Sequence, residues 1–286
     1  MRRILVHFDT DPQPSVFDRV VAIDSDVEQL FSYGGVTPET LTGLVHGAMF
    51  TRGPDHLKNT AVFIGGSNVA LGEQLFEQVQ QTFFGPIRVS VMMDSNGSNT
   101  TAAAAVLTAA KHQQLSGQRV VVLAGTGPVG LRVAQLLAAE GAIVQLCSRT
   151  LNRAQAAAIE VQRLVSNAAV DPRATSSMSE TLAACKKAPI VIAAGAAGIE
   201  LLSMETRRQL PDLKLMIDLN AVPPVGIAGV EVTDRAVMRD GVLAYGAIGV
   251  GGLKMKIHKA AIRSLFESND QVLDTMAIYE LGKSLV

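Results

Sequence analysis

The stretch Val120-Val-Val-Leu-Ala-Gly-Thr-Gly-Pro-Val-Gly-Leu-Arg-Val-Ala-Gln-Leu-Leu137 constrains the fold more than any other. Val120 to Leu123 is an apolar run of the length of a buried strand. Gly125-Thr-Gly-Pro-Val-Gly130 is a tight glycine turn, and Val129, Val133, Leu136 and Leu137 then recur at helical spacing. Strand, G-x-G-x-x-G turn and helix in this order is the fingerprint of a dinucleotide-binding unit. Gly125 permits the sharp turn, Gly127 lets the backbone approach a pyrophosphate, and Gly130 lets the helix lie close on the sheet. The free N–H groups and positive dipole end of the helix face the phosphates, which places Thr126, Pro128 and Val129 beside the glycines as cofactor contacts. Pro128 suits the first helical position, whose N–H has no intrahelical partner.

The second strand of the unit selects the cofactor. Ile143-Val-Gln-Leu-Cys-Ser148 is that strand, and an NAD site usually carries Asp or Glu at its end for the ribose 2′-hydroxyl. Here Ser148 and Arg149 stand at that end, with Arg153 just beyond. A hydroxyl and guanidinium groups suit a 2′-phosphate through charge-assisted hydrogen bonds, so the expected cofactor is NADP. As solvated surface charges, the two arginines would carry no such meaning.

The chain has 286 residues, enough for two domains of ordinary size. A formal net charge of -1 and the absence of Trp give no case for a nucleic-acid partner. No stretch is apolar for long enough to span a bilayer, and the N-terminus lacks the apolar core of a signal peptide; a cytoplasmic protein is expected. Cys147 and Cys185 form no metal-ligand spacing and no disulfide framework. No carboxylate–histidine cluster is visible either, so no metal is expected.

Before the fingerprint, strands are expected at 4–8, 60–64 and 87–93, and helices from Ser15 to Ile23, from Thr37 to about Phe50 and over 71–83. Alternating strands and helices make this a small α/β domain with a mostly parallel sheet. An Ala-rich helix over 102–111 leads into the nucleotide domain. Further strands are expected at 143–148, near 170–175, and at 189–194, 213–218 and 243–247. Helices from Leu253 to about Glu267 and from Asp270 to Lys283 return to the first domain. The expected fold is therefore α/β with two domains: 1–112 completed by 253–286, and a Rossmann-type NADP-binding domain over 113–252. The active site would lie in the interdomain cleft.

Three strand ends hold polar groups. Gly65-Gly-Ser-Asn68 is one. The run from Asp94 to Thr101 offers Asp94, Asn96, Ser98 and Thr100 or Thr101 as substrate-binding candidates; helix capping would account for part of it. Asn220, at the head of Asn220-Ala-Val-Pro-Pro224, is a candidate near the nicotinamide, with a proline-stiffened turn as its plain alternative. On the last long helix Lys254 and His258 are four apart and share a face, whereas Lys256 points elsewhere. Cations at a helix start oppose the dipole, which invites a functional explanation; a basic helix face is otherwise simply solvated.

Phe8-Asp-Thr-Asp11, Pro14-Ser-Val-Phe-Asp18, Phe83-Phe-Gly-Pro86, Asp94 to Thr101, Leu123 to Gly130 and Gly251-Gly-Leu-Lys-Met-Lys-Ile-His258 together resemble the NADP-dependent methylene-tetrahydromethanopterin dehydrogenases of methylotrophic bacteria. The likeness runs nearly end to end. It implies oxidation of a methylene-tetrahydropterin to the methenyl form in one-carbon metabolism, with tetrahydromethanopterin or tetrahydrofolate as carrier. It also implies a two-domain fold and a homo-oligomer. Lys254, His258 and Thr101 would be the family's active-site lysine, histidine and threonine. Cyclohydrolase activity is not implied. Two other readings stay open: an NADP-dependent dehydrogenase of a small hydroxy acid, of the shikimate-dehydrogenase type, using a Lys254–Asp94 relay, and a non-catalytic NADP-sensing module.

Overall fold

A computed structural model describes residues Met1 to Val286. In chain order the elements are β1 (Ile4–Asp9), α1 (Val16–Ile23), β2 (Gln29–Tyr33), α2 (Pro38–Met49), β3 (Thr60–Gly65), α3 (Val69–Thr82), β4 (Ser90–Met93), α4 (Ser98–His112), β5 (Arg119–Leu123), α5 (Pro128–Ala139) and β6 (Ile143–Ser148). There follow α6 (Leu151–Leu164), β7 (Val170–Ala174), α7 (Met178–Cys185), β8 (Ile190–Ala193), α8 (Met204–Arg207), β9 (Leu215–Asp218), β10 (Arg235–Arg239) and β11 (Val242–Tyr245). The last elements are α9 (Ala247–Ser264), β12 (Val272–Leu273) and α10 (Thr275–Lys283). The chain divides into two compact units, 1–100 with 255–285 and 101–254 with Val286, and the divisions fall inside α4 and α9.

The first unit carries a parallel sheet in the order β12-β4-β3-β1-β2. Its central strand β3 is buried at every position, as a parallel strand covered by helices on both faces must be. Phe8, Val62 and Ile64 pack with Leu41, Val45 and Met49 of α2 and Leu75 and Val79 of α3. Local chemistry fixes the helix starts. The Ser15 hydroxyl accepts from the Asp18 N–H at 3.2 Å, and Thr37 with Thr40 forms a reciprocal cap ahead of Pro38.

The second unit carries a sheet in the order β10-β11-β9-β8-β5-β6-β7, parallel except for the β10–β11 pair. Leaving out β10, this is the doubly wound order of a dinucleotide-binding fold. The topological switch lies between β5 and β8, where such folds take their ligand. Burial of Val120, Val121 and Val122 in β5 matches the apolar run read from the sequence.

Several elements differ from the sequence-based expectation. The helix carrying Lys254 begins at Ala247 rather than Leu253, so Lys254 is its eighth residue and escapes the unfavourable end of the dipole. Two glycines there, Gly246 and Gly249, serve contact rather than turning. A Cβ on Gly246 would overlap the Glu231 carbonyl, and one on Gly249 the Asp234 carbonyl. β2 was not expected. It is an edge strand whose residues are all partly or fully exposed, so its periodic signal is weak. The helix expected from Asp270 begins only at Thr275, because Val272 and Leu273 pair with β4 and Asp274 caps α10.

Candidate active site

In the nucleotide unit the fingerprint forms the expected strand–turn–helix. Gly127 is the N-cap of α5 and Pro128 its first residue. The left-handed position of the turn, however, is Ala124 at φ 52°, not Gly125. Gly125 is needed for space: a Cβ there would lie 3.1 Å from the Val122 carbonyl and 3.2 Å from Leu146. Gly130 is tighter, with a Cβ only 2.7 Å from the Gly125 Cα, so the helix start sits directly on the turn. The nearest atom that a Gly127 Cβ would meet beyond its chain neighbours is the Ala124 carbonyl oxygen, at 4.0 Å. Open space over Gly127, above a helix N-terminus flanked by Thr126 and Val129, is what a pyrophosphate needs.

Ser148 ends β6, buried, with its Oγ 3.5 Å from the Thr126 Oγ1. Arg149 and Arg153 follow, both exposed. Arg149 borders a cleft that also holds Thr175, Ser176, Ser177, Ile199 and Glu200. The residues present thus fit an adenosine 2′-phosphate. Asn220 is buried and occupied within its own loop: its Nδ2 donates to the Pro224 carbonyl and its Oδ1 accepts from the Val222 N–H. Its structural role is to shape that loop. Cys147 and Cys185 are buried free thiols, and burial pushes the Cys185 thiol up to about 12.

In the first unit the run after β4 is a capping device. Asp94 Oδ1 accepts from the N–H groups of Asn99 at 2.8 Å and Thr100 at 3.0 Å, and Asp94 Oδ2 accepts from the Thr100 hydroxyl at 2.6 Å. Ser98 donates to the Ser95 carbonyl. Asp94, Ser98 and Thr100 are fully buried and spoken for; Asn96 is exposed, and Thr101 is half-buried. Asn96 takes φ 54° while its N–H holds the Gly66 carbonyl, which ties the run to the end of β3.

His258 is fully buried. Its Nδ1 lies 3.7 Å from Asp94 Oδ2, and its ring stacks on Phe63 at 5.6 Å between centroids. Lys254, four residues earlier on α9, is half-buried, while Lys256 is exposed.

No carboxylate–histidine cluster is legible in the sequence; the fold makes one. His7 and Asp9 at the end of β1 and Asp18 in α1 bring ligand-capable atoms within 4.8 Å of one another. None of the three was singled out, because strand and helix meet only through the tertiary fold. Asp9 accepts from the N–H groups of Asp11 and Ser15, both at 2.8 Å, and lies 3.4 Å from His7 Nε2. Burial works to raise the Asp9 carboxyl, but His7 beside it and the two backbone N–H groups outweigh burial and hold it below the ordinary value. Both Asp9 oxygens are thus engaged by the protein. Asp18 goes the other way. Burial, with Asp94 and Asp9 nearby, pushes it up to about 6 against the opposing charge of His7.

Comparison with known proteins accords with this arrangement. The family model described as methylene-tetrahydromethanopterin dehydrogenase, N-terminal, matches residues 16–96. The bifunctional protein MdtA of Methylorubrum extorquens strain AM1 is 46% identical over 288 residues, covering 99% of each chain. The NAD(P)-dependent methylenetetrahydromethanopterin dehydrogenase of the same strain is 31% identical over 295 residues, covering 99% of this chain and 98% of the other. Among solved structures, the ligand-free 5-ketofructose reductase of Gluconobacter sp. strain CHM43 superposes with a TM-score of 0.55 over 100% and 99% of the two chains; at 14% identity this is a likeness of fold alone. With both full-length relatives sharing its sequence from end to end, the chain belongs to the methylene-tetrahydromethanopterin dehydrogenase family.

Proposed function

We propose that this chain oxidises the methylene group of a methylene-tetrahydropterin to the methenyl form, passing a hydride to NADP. Tetrahydromethanopterin is the principal carrier and tetrahydrofolate a second. The observation that carries the reading is end-to-end likeness to a named dehydrogenase of this substrate, joined to a complete nucleotide fingerprint. The hydroxy-acid reading had rested on lobe order and a Lys254–Asp94 relay. Asp94 is committed to capping α4, and similarity of fold carries no substrate with it.

NADP, when bound, supplies the hydride acceptor. The reacting carbon lies between two nitrogens whose lone pairs expel the hydride, and the product is a delocalised amidinium-like cation. No proton leaves, so no general base is required. The protein binds, orients and excludes water. A lysine directly beside the forming cation would oppose it. Lys254 therefore grips an acceptor oxygen of the substrate, with His258 and Thr101 as its companions on the pterin.

NADP over NAD rests on Ser148 and Arg149 at the end of β6, where no carboxylate stands. Assembly into a homo-oligomer is supported by α1, which leaves Val16, Val20 and Ile23 uncovered on one face. Free buried thiols favour a reducing compartment, the cytoplasm. No helix is long and apolar enough to cross a membrane. Steady-state kinetics with both methylene-pterins and both nucleotides test the reading. Turnover of a hydroxy acid with none of either pterin would overturn it.

A further inference from the structure

The cluster at the end of β1 is built in an unusual way. Asp18 is the third residue of α1, where an acid normally turns back to the N-cap N–H. Here that N–H, from Ser15, is taken by Asp9. The Asp18 carboxylate instead points toward Gly65: a Cβ on that glycine would lie 3.1 Å from Asp18 Oδ2 and 2.7 Å from His7 Nε2. Only glycine admits both side chains. Gly66 repeats the device one residue on, because a Cβ there would overlap the Thr10 hydroxyl. Asp18 thus lies against Gly65 and Thr10 against Gly66, the two polar groups lining a bare Gly-Gly segment at the carboxyl end of β3.

This array is unfinished. His7 is 1% exposed and neither ring nitrogen makes a hydrogen bond of acceptable geometry; the Thr10 hydroxyl oxygen is likewise buried without a partner. Asp18 is only partly buried, so one side of the array stays open. Half-exposed Phe17 stands next to it on α1 and offers an aromatic wall. Buried polar groups of this kind ordinarily find partners, so their presence marks a place for a ligand.

The 2-amino-4-oxopyrimidine edge of a pterin presents two adjacent N–H donors and then a carbonyl acceptor. We propose that Asp18 anchors this edge, its carboxylate accepting from the 2-amino group and the ring N–H while the Thr10 hydroxyl donates to the 4-oxo group, with His7 positioning Asp18 from behind. The inference rests on the pterin reading above and adds the residues that recognise the head group. Loss of a charge-assisted bidentate contact is worth on the order of 10- to 100-fold in affinity.

The test is Asp18→Asn, which keeps the size but cannot accept two donors. Expected is a KM about 10- to 100-fold higher for methylene-tetrahydromethanopterin and for methylene-tetrahydrofolate alike, because the two share this edge. NADP affinity should not move. Calorimetry with tetrahydromethanopterin should show the same loss in the absence of turnover. Thr10→Val should raise KM in the same direction by less. For His7 the readout is pH. The groups facing Asp18 are His7 and Asp9 from β1, Asp94 from the run after β4, and Ser15 on its own helix. Wild-type kcat/KM for the pterin should fall on the acid side near pH 6, and Asp18→Asn should lack that limb. His7→Gln should move it to higher pH, because the charge of His7 holds the Asp18 carboxyl down. Unchanged KM and calorimetry in Asp18→Asn, with only a change in melting temperature, would overturn the inference. Wild-type protein that turns over neither pterin would instead sink the functional reading beneath it.

Discussion

The Thr100 hydroxyl donates to Asp94 Oδ2 at 2.6 Å, with both side chains fully buried at the start of α4. Thr101, the next residue, is half-buried. The pair separates two roles the sequence leaves merged. Thr100→Val should destabilise the protein by about 1.5–3 kcal/mol, the worth of a hydrogen bond to a buried charge, and lower activity only through lost fold. Thr101→Val should lower turnover with the pterin at nearly unchanged melting temperature. Thermal denaturation beside initial rates decides it; the opposite pattern would exchange the two assignments.

Arg149 borders the cleft at the end of β6. Arg149→Ala should weaken NADP by about 1.5–3 kcal/mol and NAD far less, since only NADP has the 2′-phosphate. Equal losses for both nucleotides, measured by titration, would remove Arg149 from the specificity determinants.

Lys254 and His258 share one face of α9, and Lys256 does not. Lys254→Ala should cut pterin turnover by on the order of a hundredfold while sparing NADP affinity, because small misplacements of the reacting carbon are costly. His258→Gln should act in the same direction. It should also lower stability, since His258 is stacked on Phe63. Lys256→Ala is the control. A loss in Lys256→Ala as large as in Lys254→Ala would return the basic run to the status of a solvated face.

Asp18 also makes a statement about stability. Its carboxyl is pushed up to about 6 from 3.8. The folded state therefore binds the proton more tightly than the unfolded state, and the resulting stabilisation is full below about 3.8 and lost as pH rises through about 6. Asp9, held below its ordinary value, works in the opposite sense and loses its contribution as pH falls. Asp18→Asn should thus raise the melting temperature at pH 7.5 relative to wild type, with the gain shrinking toward acid. A gain independent of pH would refute the burial of the charge.

Gly249 lies in the first turn of α9, where a Cβ would overlap the Asp234 carbonyl, a backbone atom that cannot swing aside. Gly252 on the same helix has nothing within 4 Å of a Cβ. Gly249→Ala should destabilise severely, whereas Gly252→Ala should gain about 0.5–1 kcal/mol from helix propensity. Equal melting temperatures for the two variants would contradict the close approach.

What the sequence discloses and what it hides follow one rule: information local in the chain is readable. The fingerprint is legible because strand, turn and helix are consecutive and each glycine has a separate steric reason. Even so, the left-handed turn residue is Ala124, which carries no glycine signal. The run Ala247 to Gly252 looks like a loop because it is glycine-rich. The residues that make Gly246 and Gly249 necessary, 231–235, are local neither in sequence nor in pattern. The His7, Asp9 and Asp18 cluster is hidden for the same reason. Two of its members alternate along β1 and the third sits on a helix, and nothing in the chain marks their meeting around Gly65.

The pairing of β12 with β4 has a consequence for biosynthesis. The strands of the second unit all lie in one unbroken stretch, from Arg119 to Tyr245, so its sheet can close as soon as residue 254 has been made. The first unit starts the chain yet waits for Leu273 to cover the far side of β4. On a ribosome the earlier-made sheet is thus the later one to be completed. Until the last segment emerges, β4 remains an open edge that a chaperone has reason to guard.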